Sequence, residues 1–145
     1  MGRQPGCPLC EGEGGEVVAR NGWLRVVRTD EGGFAAFYRV IWNAHVPEFS
    51  DLASAERAHC MEAVALVEQA LRAELSPVKI NLASLGNAVP HLHWHVIARF
   101  DWDSHYPAPV WAAARREPPP ASSAAVQAVL ARREAVHRRI ARALA

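Results

Sequence analysis

The stretch His91-Leu92-His93-Trp94-His95-Val96-Ile97 decides how this chain is read. Apolar and imidazole side chains alternate along it, the pattern of a β-strand with one face buried. Successive side chains of a strand point to opposite faces, so Leu92, Trp94 and Val96 share the core face and His91, His93 and His95 share the other. On that second face the imidazoles recur every ~6.6 Å. An unpaired imidazole is costly to desolvate and adds little packing, so three in a row argue for chemistry. Three uses fit: a metal site, a general acid–base relay, or a histidine nucleophile attacking phosphorus.

Working outward, Lys79–Ser84 reads as a neighbouring strand, and Gly86-Asn87 as the turn after it. Upstream, Leu52, Ala55, Cys60, Val64, Val67, Leu71 and Leu75 keep helical spacing for about six turns. Ser50 or Asp51 can cap that helix, with Glu56 in its early turns, and Ser76-Pro77 closes it. Before it, Glu16–Arg20, Trp23–Arg28 and Phe34–Trp42 have β character, separated by Gly22 and by Gly32-Gly33. Phe34–Trp42 carries a single charge, so at least one of its faces is expected to be buried. Residues 1–15 read as a loop or knuckle and 101–120 as irregular, with Pro118-Pro119-Pro120 a stiff spacer. A last helix is expected from about Ser122 to Leu144, with Val126, Val129, Val136, Ile140 and Leu144 as its apolar stripe, gripping its own sheet or a partner subunit. Strands, helix, strands, helix: one α+β domain with a mainly antiparallel sheet.

Composition agrees. The chain has 145 residues, half hydrophobic and 21% charged, which excludes disordered, collagen-like and coiled-coil classes. No apolar run approaches the ~18 residues of a membrane span, and no signal-peptide core opens the chain, so a cytoplasmic protein is expected. The net charge of +1 gives no global field toward nucleic acid or membrane, and neither is expected as a partner. Lys79 is the one lysine among 16 basic residues, and Arg132, Arg133, Arg138, Arg139 and Arg142 cluster in the tail. Of three cysteines, Cys60 falls in the helical pattern as a small hydrophobe. Cys7-Pro8-Leu9-Cys10 is a two-thiol hook that suggests metal or redox chemistry more than a disulfide. No βαβ pattern follows it, which disfavours a thioredoxin-like role; free surface thiols are the plain alternative. Five tryptophans suit core packing or a dimer interface, and any one of them suits stacking on a base. His105 reads as a solvated loop residue that could edge the site.

The triad, with Asn81, the Gly86-Asn87-Ala88-Val89 turn and the strand ending Asn43-Ala44-His45, resembles the histidine triad (HIT) family of nucleotide hydrolases and transferases. The likeness covers about residues 5–111. It implies a HIT-like α+β fold: a mainly antiparallel sheet of about five strands, one long central helix and a C-terminal helix. The HIT-like domain would span 1–117, followed by the Pro-rich spacer and amphipathic helix of 118–145. By the resemblance, His93 is the nucleophile that attacks the α-phosphorus, and His95 donates to phosphate oxygens or to the leaving group. Asn81 would hydrogen-bond the phosphate side. Asn87 stands where the family commonly has a glutamine that helps the leaving group. Asp30 is the nearest counterpart of an acidic ribose-binding residue. Cys7, Cys10 and Pro109-Val110-Trp111 are similar to a bacterial zinc-containing branch, akin to diadenosine polyphosphate hydrolases. There His45 and His91 would complete a closed structural zinc site. The implied activity is hydrolysis or transfer at a dinucleoside polyphosphate, nucleotide sugar or phosphoramidate by a homodimer, with no organic cofactor. The alternative is a nucleotide-binding module with little turnover, its triad and hook a zinc and phosphate scaffold.

Overall fold

The computed structural model describes residues 2–145. Strands β1 (Glu16–Arg20), β2 (Leu24–Thr29), β3 (Phe37–Trp42), β4 (Lys79–Ala83) and β5 (His93–Arg99) form one sheet in the order β1-β2-β3-β5-β4. Every pairing is antiparallel. Helices α1 (Pro8–Glu11), α2 (Ser54–Leu75), α3 (Ala124–Ala131) and α4 (Arg133–Leu144) complete this α+β fold.

One sheet face carries the main core. Val26, Tyr38, Val40, Trp42 and Val96 pack there against Cys60, Val64, Val67 and Leu71 of α2. Helix α4 lies against α2 and β1, and its Val136 and Ile140 are fully buried in the same core. The C-terminal stripe thus grips its own domain. His137 and the Tyr38 hydroxyl meet at 3.0 Å across that junction.

The other sheet face carries the chemistry, and register explains why. Arg39 lies opposite His95 in the β3–β5 ladder, and Ala83 flanks His95 from β4. Cross-strand partners share a face. Ile41, His93, His95, Ile97, Arg39 and Asn81 are therefore all on the side away from α2.

Several element boundaries differ from expectation. The strand read from His91 begins at His93, because Pro90 breaks the approach and the Leu92 amide turns to the Val46 carbonyl. The expected Phe34–Trp42 strand begins at Phe37, after a 3₁₀ turn over Glu31–Gly33. The helix expected from Ser50 or Asp51 starts at Ser54. Asp51 instead accepts from the Glu48 amide and closes a separate 3₁₀ turn over Phe49–Asp51, while the Glu56 carboxylate accepts from the Ala53 amide at the true helix start. The single C-terminal helix is two, interrupted at Arg132, whose amide turns to the Val129 carbonyl in a 3₁₀ closure. The break lets Val129 of α3 and Val136 and Ile140 of α4 reach one core. Arg132 and Arg139 both pair there with Glu74 of α2.

Candidate functional site

All three triad histidines are buried: His91 is 1% exposed, His93 9% and His95 5%. They occupy two adjoining centres.

The first is a four-donor cluster. Cys7, Cys10, His45 and His91 offer ligand atoms that all lie within 4.8 Å of one another, a set able to hold a metal ion. His91 Nδ1 is 3.5 Å from Cys7 Sγ and 3.4 Å from Cys10 Sγ, and His45 Nδ1 is 3.5 Å from Cys10 Sγ. The far side of the His91 ring sets its tautomer. Nε2 donates to the Trp42 carbonyl at 2.6 Å, so the proton sits there and the Nδ1 lone pair faces the sulfurs. The knuckle bearing both cysteines is tied to the sheet by Arg25, itself 4% exposed. Its guanidinium donates to the carbonyls of Leu9 (2.7 Å), Gly12 (3.2 Å) and Glu13 (2.9 Å). Gly15 admits no side chain at this crossing: a Cβ would sit 2.5 Å from the Arg28 carbonyl oxygen.

The second centre is a cavity of about 330 Å³ lined by Glu31, Arg39, Asn87, His93, His95 and Trp111, with the Leu85–Val89 turn as one wall. His93 Nδ1 donates to the carbonyl of His91 at 2.6 Å. A carbonyl can only accept, so the proton is on Nδ1 and Nε2 carries the lone pair. The Ser84 hydroxyl donates to the His93 carbonyl at 3.0 Å. Burial lowers the pKa of His93. Burial, reinforced by the His93 and Arg39 charges, takes His95 down to about 4. At neutral pH both rings are uncharged, the state in which imidazole is a nucleophile. His95 packs its ring 5.0 Å from His93 and 5.0 Å from Trp111.

The remaining candidates are placed as follows. Asn87 lies on the cavity wall. Asn81 sits on the same sheet face, with its carbonyl oxygen held by Arg99 Nη1 at 2.8 Å. Asp30 stands outside the cavity, its side chain 83% exposed and paired with Arg28; the acidic residue on the wall is its neighbour Glu31. His105 packs against Phe34 away from the cavity walls, and Trp111 is the tryptophan at the site. Three residues of this region escaped the sequence reading. Arg39 could have been suspected as the lone charge of an apolar strand. Arg99 and Asp103 form a buried ion pair that ties down residues 100–108, and nothing in their spacing marks it.

An antiparallel sheet presenting a buried histidine row to a cavity, with a four-donor cluster at its end, defines the class of domain. The family model described as "HIT domain" matches residues 14–102, and the chain belongs to the HIT domain family. Among solved structures it is similar to a histidine triad protein of Bradyrhizobium japonicum, with 26% identity over 88% of this chain and 92% of that one, at a TM-score of 0.71. A histidine triad protein of Sinorhizobium meliloti is 25% identical over 88% of each chain, with a TM-score of 0.64. A histidine triad nucleotide-binding protein of Sulfolobus tokodaii shares the fold at 15% identity, covering 87% of this chain and 83% of that one, with a TM-score of 0.60. No curated protein matches the sequence. Family membership implies a nucleotide ligand and suggests hydrolase or transferase chemistry. No helix among the described residues is long and apolar enough to cross a membrane.

Proposed function

We propose that the chain is a nucleotide hydrolase or nucleotidyl transferase acting at the α-phosphorus of a dinucleoside polyphosphate, nucleotide sugar or nucleoside phosphoramidate. The observation that carries this reading is the 2.6 Å bond from His93 Nδ1 to the His91 carbonyl, which leaves the Nε2 lone pair for attack. In the reaction, Nε2 of His93 bonds to the α-phosphorus while the bond to the leaving group breaks, its electron pair departing with that group. Held by the carbonyl, the ring keeps its Nδ1 proton, and the positive charge that develops is shared with that acceptor. His95 donates a hydrogen bond to the leaving group, Asn87 assists from the turn, and Asn81 supports the phosphate side through its amide N–H₂. Water then attacks the phosphorus and gives up a proton to solvent, the P–N bond breaks with its electron pair returning to Nε2 of the imidazole, and a nucleoside monophosphate is released.

The chemistry of the four-donor set fits zinc. A tetrahedral ion with zinc–sulfur bonds of ~2.3 Å and zinc–nitrogen bonds of ~2.0–2.1 Å has sulfur–nitrogen edges of ~3.6 Å. The three sulfur–nitrogen separations of 3.4–3.5 Å match those edges. Bound there, zinc would supply a cross-link and no open position for water. It would fix His91, whose carbonyl in turn orients His93. This set supports placing the chain in the zinc-containing branch of the family. We assign the HIT-like domain to residues 1–117 and a spacer with a helical brace to 118–145, and we place the protein in the cytoplasm as a homodimer. The dimer draws support from edge strand β4 and its surroundings, where Val78, Leu82 and Leu85 are 52%, 42% and 54% exposed.

The deciding experiment is a turnover screen of dinucleoside polyphosphates, nucleotide sugars and phosphoramidates with the wild-type chain and His93→Ala. The substitution should abolish turnover and leave nucleotide affinity within about tenfold. Near wild-type turnover by His93→Ala would sink the mechanism. Tight nucleotide binding by a wild-type chain that turns over none of these substrates would make it a binding module.

A further inference from the structure

Arg39 and Glu31 pair on the cavity wall in an arrangement the histidine chemistry does not explain. Arg39 stands directly opposite His95 in the ladder and lines the same cavity. Its Nη1 donates to the Gly14 carbonyl at 3.2 Å, and its Nη2 meets the Glu31 carboxylate at 2.5 Å. Its Nε is buried and has no hydrogen-bond partner among the described residues. A guanidinium presents Nε and Nη2 as a two-pronged edge matched to two oxygens of one anion. Elsewhere in the chain that edge is fully used: both oxygens of Asp103 fill it on Arg99, at 2.9 and 3.0 Å. On Arg39 one oxygen of Glu31 takes one prong, and the other prong is left without a partner on a residue that stands opposite His95.

Glu31 is the movable member of the pair. Its side chain is 46% exposed against 18% for Arg39. It opens the 3₁₀ turn that runs into Gly32 and Gly33, whose φ values of 65° and 74° suit glycine. An exposed pair of this kind holds together only weakly.

We propose that Arg39 is an anion-binding residue of this cavity, and that Glu31 is its resting counter-ion, displaced when a phosphate chain enters. A phosphate offers two oxygens to the Nε–Nη2 edge where Glu31 uses one, and so completes the fork. The cavity consequently favours ligands that carry further phosphates beside the scissile one, and leaving groups that are anionic rather than amines. The preference among ligands and leaving groups rests on the nucleotide reading above; anion binding by Arg39 does not.

The test is isothermal titration of inorganic tripolyphosphate into the full-length chain and its variants, with thermal melts alongside. Arg39→Gln should weaken tripolyphosphate about 10- to 100-fold, the range of a charge-assisted contact, and Arg39→Lys should fall between it and wild type. Glu31→Gln should tighten binding about 2- to 5-fold by removing the competitor. Unchanged affinity in Arg39→Gln, weaker binding in Glu31→Gln, or no binding by the wild-type chain would each overturn the proposal. Should Arg39→Gln fail to fold, the half-exposed Glu31→Gln decides alone. Turnover plays no part in these measurements, so a failure of His93 chemistry and a failure of Arg39 as anion binder register separately.

Discussion

Asp103 offers a test of what holds the wall of the site in place. Its carboxylate is 8% exposed and accepts from Arg99 Nε and Nη2, and from the backbone amides of Phe100 (3.2 Å), His105 (3.0 Å) and Tyr106 (2.7 Å). Arg99, 1% exposed, spends its other donors on Asn81 and the Ala108 carbonyl, both at 2.8 Å. Asp103→Ala leaves a buried guanidinium without its counter-ion and strands three amide donors. Breaking a buried pair from one side costs about 3–5 kcal/mol. With an unfolding entropy of ~2.1 cal/mol/K per residue, a chain of 145 residues loses Tm by about 10–16 °C. Urea denaturation and scanning calorimetry at pH 7 read both quantities. Asp103→Asn should cost less, because one oxygen still accepts, and Arg99→Met with Asp103→Leu should recover only the part due to the uncompensated guanidinium, since the three amides stay stranded. Acid should reproduce the effect. Burial tends to raise the Asp103 pKa, but Arg99 and the three amides outweigh it and hold the carboxyl below its ordinary value. Its contribution is therefore full above about pH 3.9 and is lost as pH falls further, through the depressed folded value. A loss below about 1 kcal/mol in Asp103→Ala would show that the pair is hydrated and does not tether this segment.

Three further outcomes are expected. Cys10→Ser should lower zinc content, measured by mass spectrometry from about one ion per chain, together with Tm, while the folded fraction keeps far more turnover than His93→Ala; complete loss of activity on chelation with an intact circular dichroism spectrum would make the metal catalytic. Because burial takes His95 down to about 4, its neutral form stabilises the fold fully above pH ~6.5, and about 3 kcal/mol of that is lost as pH falls toward 4. Urea titrations of His95→Gln should show correspondingly less acid sensitivity than wild type, and equal sensitivity would refute this. Ile140→Ala, at a fully buried position of α4, should cost about 2–5 kcal/mol in the same assay; a cost under 1 would mean that α4 is peripheral.

The sheet, the long helix and the histidine row were legible because each rests on periodicity. A strict alternation such as Leu92-His93-Trp94-His95 leaves no other register for a half-buried strand. Boundaries were less legible, since the Leu92 amide bonds the distant Val46 carbonyl and Asp51 bonds the competing Glu48 amide. Arg39 was visible as an isolated charge, but its place beside His95 follows from cross-strand register, and register depends on pairing partners that no local pattern names. Asp30 and Glu31 show the limit most directly. They are adjacent acids on one turn, and only the turn's geometry sends one to Arg28 in solvent and the other to Arg39 on the cavity wall.

Arg25 carries a consequence for how an ion arrives. Its guanidinium already staples the cysteine knuckle to the sheet through three carbonyls, and the Trp42 carbonyl already turns the His91 lone pair toward the sulfurs. These contacts involve none of the four ligand atoms themselves. In a small zinc module, capture of the ion and folding of the chain are one event. Here Arg25 and the Trp42 carbonyl would lower the cost of closing such a site, because the cysteine knuckle and the His91 ring are each held by bonds other than those to an ion. A set of two thiols and two imidazoles would also select by chemistry: it suits a four-coordinate ion that accepts sulfur and nitrogen, and suits poorly the hard cations that demand six oxygen ligands.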